Sequence, residues 1–178
     1  PLPGVDVRIR KSDGELAQED EIGILEVSGP NVCKGYFNLP EKTAEAFTPD
    51  GYLITGDIGI RTEDGYYTLQ GRESDMIISG GYNVYPREVE NVLLDMPTTV
   101  EVAVFGVPHP DFGEGVLAAI VTEGHTSEDH VISVCKESLA AYKCPKRVFP
   151  LPELPRNAMG KVDRKALRAQ YSNVFEAT

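Results

Sequence analysis

Cysteine and histidine are scarce, with three of each in 178 residues. Cys33, Cys135 and Cys144 are odd in number, widely spaced and without a C-x-x-C pair. That argues against a disulfide framework or a zinc site, and it suits a reducing compartment, so a cytoplasmic location is expected. His109, His125 and His130 make no metal-ligand spacing, and His109, set between two prolines, reads as a loop residue. No run approaches the ~20 apolar residues that a membrane-spanning helix needs. The opening Pro1-Leu2-Pro3-Gly4 lacks the charged-then-apolar pattern of a signal peptide. Positive charge is in deficit: 17 Lys and Arg against 28 Asp and Glu give a formal net charge of −11. Such a balance disfavours nonspecific binding to nucleic acid or to an anionic membrane surface. No internal repeat or low-complexity tract is visible.

What is present suits a folded chain: 41% hydrophobic and 25% charged residues, with length enough for one domain or two small ones. The cations are unevenly spread. Residues 136–168 hold nine of the 17 (Lys136, Lys143, Lys146, Arg147, Arg156, Lys161, Arg164, Lys165, Arg168) and only three acids (Glu137, Glu153, Asp163).

The first seventy residues read as β structure. Val5-Asp6-Val7-Arg8-Ile9 alternates as a half-buried strand does, and Ser12-Asp13-Gly14 supplies a turn. Strands are also predicted at residues 22–27, 52–54 and 66–69, which together suggest a small barrel or a curled sheet. One helix interrupts them at 40–47, with Pro40 in the first turn. After Gly71-Arg72 the pattern changes to alternating helices and strands. Residues 76–78 read as a short buried strand, and Pro86 opens a helix with Val89, Val92, Leu93 and Met96 on its apolar face. Residues 100–107 and 116–122 read as strands rich in β-branched residues. Thr126-x-x-Asp129 has the form of a capping box for an amphipathic helix through Val131, Val134, Cys135 and Leu139. Val148 and Phe149 read as extended, and a last helix is predicted over about 162–171. The expected fold class is α+β: a β-rich unit over 1–71, then an α+β domain over 72–178 with a small sheet flanked by helices.

Three short elements carry chemistry, each with a plainer alternative. Asp57 of Thr55-Gly56-Asp57 offers two acceptor oxygens to a pair of ribose hydroxyls, or is a turn aspartate satisfying nearby N–H groups. Arg72, ahead of Asp75 and Ser79-Gly80-Gly81, can hold ribose or phosphate oxygens; Gly80-Gly81 is either a hairpin turn or bare backbone that admits a ligand chain. Lys161, after Gly160 in a polar loop before a helix, can reach an active site and stabilise charge developing at a phosphate, or is a solvated surface lysine.

Together these elements resemble the adenylate-forming superfamily of acyl-CoA synthetases, adenylation domains and luciferases, over essentially the whole chain. Gly14-Glu15, Gly29-Pro30, Gly35-Tyr36 and Glu41-x-Thr43 look like its late N-terminal motif region. Thr55-Gly56-Asp57 looks like its ribose motif, and Arg156-Asn157-x-x-Gly160-Lys161 like its C-terminal lysine motif. The run Gly71-Arg72-Glu73-Ser74-Asp75-Met76-Ile77-Ile78-Ser79-Gly80-Gly81-Tyr82-Asn83-Val84-Tyr85-Pro86-x-Glu88-Val89-Glu90 is similar to its hinge motif and carries most of the specificity. Residues 81–90, 106–116 and 154–162 are most similar to the family's malonyl-CoA synthetases, by kinship rather than by acid-binding contacts.

The resemblance implies activation of a carboxylate by ATP and Mg2+ to an acyl-adenylate, then transfer of the acyl group to coenzyme A with release of AMP. Asp57 would bind the ribose and Arg72 would be a second ribose or phosphate contact. Lys161 would bridge carboxylate and α-phosphate oxygens during adenylation only. Ser74 would be the hinge within 72–75 about which the small domain swings. Gly81 would line the pantetheine tunnel, Lys146 would meet a coenzyme A phosphate and Phe112 would stack on its adenine. The basic segment at 142–147 is then either a coenzyme A patch or a solubilising helix end. The phosphate loop, the acyl pocket and the Mg2+ site are absent and are expected in a larger N-terminal portion of the same protein, so the chain reads as a C-terminal fragment, inactive alone. Rival readings are a noncatalytic nucleotide- or coenzyme A-binding module, and an adenylate-forming enzyme with another acid. A peptide-synthetase adenylation domain is disfavoured, and a luciferase-like oxidase shares the same motifs.

Overall fold

A computed structural model describes residues 1–176 and divides the chain into two compact units, Pro1–Ser74 and Asp75–Thr178. The first unit is a four-stranded antiparallel meander: β1 (Asp6–Arg10), β2 (Gly23–Ser28), β3 (Leu53–Arg61) and β4 (Tyr67–Arg72), in that spatial order. Helix α1 (Pro40–Ala46) lies between β2 and β3 in the chain. Register shifts in the β2–β3 and β3–β4 ladders bend the sheet, and the Tyr67 hydroxyl of β4 donates to the Val7 carbonyl of β1 at 2.6 Å. Of barrel and curled sheet, the curled sheet is therefore found: the two edge strands meet through a side chain, not a ladder. Ile9, Leu25 and Ile58 form its small buried patch. Beside them Glu26 is 2% exposed, its carboxylate held by Arg8 Nε and Arg10 Nε at 2.6 Å each.

The second unit runs β5 (Ile77–Ser79), β6 (Tyr82–Val84), α2 (Pro86–Leu94), β7 (Thr99–His109), β8 (Gly113–Thr122), α3 (Glu128–Ser138), β9 (Arg147–Pro150) and α4 (Arg164–Gln170). Strand β7 pairs along the full length of β8, so β5 and β9 must share the other β8 edge. β5 pairs at Gly113, while β9 runs parallel to β8 beside Leu117 to Ile120. Alternate side chains of β7 and β8 enter two separate cores. Val104, Val116, Ala118 and Ile120 join Val89 and Leu93 of α2 and Val131 and Cys135 of α3 on one face. Ala103, Phe105, Val107, Leu117 and Ala119 meet Leu154 and Leu167 of α4 on the other. Burial on both faces explains why 102–107 and 116–121 read as unbroken apolar runs. This is the expected sheet flanked by helices.

Local expectations shift in four places. His109 is the last paired residue of β7, opposite Gly113, and not a loop residue. Ser127, one residue after Thr126, caps α3 by accepting the His130 N–H at 3.3 Å. Met96 lies beyond the end of α2 but is buried under it. The last helix begins at Arg164, with Asp163 as its N-cap accepting from the Ala166 N–H at 3.0 Å. No helix among the described residues is long and apolar enough to cross a membrane.

Candidate functional site

In the first unit, Thr55-Gly56-Asp57 lies inside strand β3, which removes the turn reading of Asp57. The Thr55 hydroxyl donates to the Leu25 carbonyl at 2.9 Å and accepts the Asp57 N–H at 3.0 Å. Gly56 between them has φ +70°, a left-handed conformation that costs a glycine nothing. The carboxylate that results faces Arg72, its partner across the β3–β4 ladder, with Nε 3.0 Å from Oδ1. Both side chains are accessible, Arg72 at 63% and Asp57 at 30%. Ser74 is the last residue of this unit and sits in the 3₁₀ turn Glu73–Asp75.

In the second unit, Lys161 stands on a turn built from its own sequence. The Asn157 side-chain oxygen accepts the Met159 N–H at 2.9 Å and the Lys161 N–H at 3.1 Å. The Asn157 N–H donates to the Lys161 carbonyl at 2.8 Å, and Arg156 and Val162 pair as an isolated bridge at the base. Gly160, at φ +76°, supplies the left-handed residue that closes the turn. Arg156 ties the turn to β7 through Glu101 and donates to the Gly160 carbonyl at 3.1 Å. The Lys161 side chain is exposed and has no ion pair among the described residues. A rigid turn with a free ammonium at its end is fit to deliver a point cation to an anion.

The three residues expected at coenzyme A come together on the same unit. Gly80 and Gly81, at φ +59° and +83°, form the two-residue turn of the β5–β6 hairpin. The Gly80 N–H donates to the Phe112 carbonyl at 2.8 Å. The Lys146 ammonium lies 4.5 Å from the Phe112 ring centroid, and Phe112 keeps 39% exposure. His109 borders Phe112 at 4.7 Å between centroids, and Tyr82 stacks on Tyr142 at 4.6 Å beside the hairpin.

Most of the basic excess at 136–168 is neutralised from outside that window. Lys143 meets Glu88 at 2.5 Å, Arg147 meets Glu128 at 3.0 Å, Arg156 meets Glu101, and Arg164 meets Glu90 at 2.6 Å. Lys146 and Lys161 are cations of the stretch that no acid holds among the described residues. Glu90 and Arg164, to which the sequence assigns no role of their own, form the best-buried of these pairs. Glu90 sits beside the apolar stripe of α2, and its partner is 74 residues away, so spacing alone carries no signal for it.

The cysteines stay outside this picture. Cys135 and Cys144 are buried and free, and burial pushes the Cys135 thiol up to about 12, with Cys144 a lesser cause. Among the described residues no cluster of His, Cys, Asp or Glu could hold a metal ion.

Residues 88–161 match the AMP-binding enzyme C-terminal domain. The chain is 39% identical over 186 residues to a malonate–CoA ligase of Arabidopsis thaliana, covering 97% of this chain and 30% of that protein. It is 44% identical over 168 residues to a 2-succinylbenzoate–CoA ligase of Bacillus mycoides, covering 94% of this chain and 34% of that one. ATP-bound MatB from Rhodopseudomonas palustris superposes with a TM-score of 0.93 at 45% identity, over 98% of this chain and 35% of its own. The chain thus spans about a third of the length of the relatives it matches.

Proposed function

The chain belongs to the adenylate-forming superfamily of AMP-binding enzymes, near malonyl-CoA synthetase, and from that premise we propose that its full-length protein is an AMP-forming acid–CoA ligase. A carboxylate oxygen attacks the α-phosphorus of ATP and pyrophosphate leaves. The coenzyme A thiol, giving up its proton, then displaces AMP from the acyl carbon. Lys161 serves the first step. Its ammonium bridges the carboxylate and α-phosphate oxygens, where negative charge concentrates as the bond forms. The observation that carries this reading is the Lys161 turn itself: pinned at its base by Asn157 and Arg156, with its cation unpaired among the described residues.

The remaining roles are those that the family resemblance implies, and we propose them for each unit. Asp57 accepts both ribose hydroxyls of the nucleotide, and Arg72, held against it, fixes the carboxylate plane and adds a second contact. Ser74 is the hinge of a segment at 72–75 that allows the second unit to serve each half-reaction in turn. Gly81 lines the pantetheine path, where a side chain would obstruct the thiol. Lys146 and Phe112 receive a phosphate and the adenine of coenzyme A. Mg2+ has no donor set among the described residues, and we assign it, with the phosphate loop and the acid pocket, to the N-terminal portion.

Malonate is the proposed acid. Relatives of similar identity are named for malonate, for 2-succinylbenzoate and for sulfoacetate, so a second anionic group beside the reacting carboxylate is the shared feature. The test is acid-dependent exchange of pyrophosphate into ATP by the full-length protein, across malonate, 2-succinylbenzoate and simple monocarboxylates. Exchange with malonate above the others supports the reading. Preference for another acid overturns malonate alone, and no exchange with any acid, together with tight AMP or coenzyme A binding, would replace the enzyme with a noncatalytic binding module.

A further inference from the structure

Glu90 is a carboxylate with 3% exposure on the helix that carries Val89 and Leu93 into the first core. Its Oε1 accepts the Val104 N–H at 3.0 Å and the Arg164 guanidinium at 2.6 Å. The same guanidinium donates to the Val104 carbonyl at 3.3 Å and stands 3.9 Å from the Asp75 carboxylate. One turn later, Arg168 donates to the Asp75 carbonyl at 3.4 Å. Arg164 therefore joins α2, β7 and α4 to the first residue after the proposed hinge.

Arg164 is poorly placed for helix formation. It occupies the first turn of α4, which has no acid, and a cation there opposes the helix dipole. Helix α4 does not need it as an anchor either, because Leu167 is fully buried and Asp163 caps the helix. A buried ion pair is also a poor source of net stability compared with apolar residues of the same volume. What the pair does supply is a fixed register. Arg164 follows Lys161 by three residues, and Arg156 ties the other end of the same turn to Glu101 of β7. The lysine turn is thus clamped on both sides to the sheet and to residue 75.

We propose that Glu90 and Arg164 are positioning residues for adenylation: they hold the Lys161 turn in fixed register to Asp75, the residue that follows the proposed hinge, so that rotation at the hinge brings the ammonium to the α-phosphate. The inference rests on the assignment of Lys161 given above. Misplacing a reacting group by an ångström can cost about 100-fold in rate. In the full-length protein, Arg164→Ala is therefore expected to lower kcat for acid-dependent pyrophosphate exchange by about 100-fold, with KM for ATP and acid little changed. Thioester formation from supplied acyl-adenylate is expected to persist. Arg164→Lys and Glu90→Gln, which keep a charge or an acceptor in place, are expected to fall between, and they carry the test if Arg164→Ala does not fold.

A double variant separates positioning from general support. If Arg164 acts through Lys161, Lys161→Ala with Arg164→Lys is no slower in exchange than Lys161→Ala alone. Multiplying losses, or equal loss of both half-reactions in the Arg164 and Glu90 variants, overturns the inference while leaving the role of Lys161 intact. Unchanged exchange in Lys161→Ala itself overturns that role, and the positioning inference with it.

Discussion

Arg72 stands directly across the β3–β4 ladder from Asp57, with its Nε 3.0 Å from the Asp57 Oδ1. The pair is too exposed to matter much for folding, since surface ion pairs contribute about 0–1 kcal/mol. Its consequence is orientation. Asp57 is held by its own N–H on the Thr55 hydroxyl and from across the ladder by Arg72, which limits the directions its carboxylate can take.

Asp57→Asn should therefore leave folding almost untouched and weaken nucleotide binding. Asparagine keeps the shape but offers one acceptor where two are needed, and hydrogen bonds to a charged group are each worth about 1.5–3 kcal/mol. In the full-length protein, KM for ATP is expected to rise about 10- to 100-fold, with the thermal midpoint nearly unchanged. An unchanged KM would remove Asp57 from the nucleotide site.

Lys161→Ala should divide the two half-reactions. The turn beneath the lysine is held by Asn157, Gly160 and Arg156, none of which uses the lysine side chain, so truncation leaves the scaffold standing. Loss of one electrostatic donor costs about 10²–10³-fold in kcat where charge develops, and pyrophosphate exchange should fall by that factor. Conversion of supplied acyl-adenylate to thioester should continue. Equal loss in both assays would reject the assigned role.

Lys146 and Phe112 call for a measurement of coenzyme A alone. The ammonium over the ring is an exposed cation–π contact, worth about 0.5–1 kcal/mol, so Lys146→Ala is a mild perturbation of the fold. KM for coenzyme A is expected to rise about 3- to 10-fold in Lys146→Ala and again in Phe112→Ala, with the exchange rate of the adenylation step unchanged. A rise in KM for ATP with no change for coenzyme A would move these residues out of the thiol-donor site.

Much of this was legible in the residues, and the gaps have physical reasons. The apolar runs of β7 and β8 declare themselves because both faces are buried. The hairpin at Gly80-Gly81 follows from two residues that can take positive φ. The cap of α3 was missed by one residue because Thr126 and Ser127 are adjacent hydroxyls; Thr126 instead lies 3.4 Å from the Thr98 hydroxyl, leaving Ser127 to cap. The turn alternative for Asp57 fails because the strand accommodates Gly56 at positive φ where the β2–β3 register shifts. The basic stretch looked unbalanced because its partners Glu88, Glu90, Glu101 and Glu128 all come earlier in the chain. Only the fold brings them across.

Glu26 offers a test on the 178-residue chain itself. Burial alone would raise its carboxyl, but hydrogen bonds from Arg10 and Arg8 outweigh it and hold the group below its ordinary value. Asp50 is held low as well, first by Arg8. A carboxylate depressed in the folded state contributes stability that is complete above its unfolded pKa of about 4.3 and is lost as the pH falls through its folded value. Glu26→Gln leaves two guanidiniums facing a neutral amide, and breaking a buried pair from one side costs about 3–5 kcal/mol. The urea midpoint of Glu26→Gln should thus lie well below that of the parent chain at pH 7, and the two should converge as the pH is taken below about 4. Because the side chain is only 3% exposed, salt should do little to close the gap at neutral pH. A difference that stays constant from pH 7 to 3 would mean that Glu26 stabilises the sheet by packing, and that its charge contributes nothing.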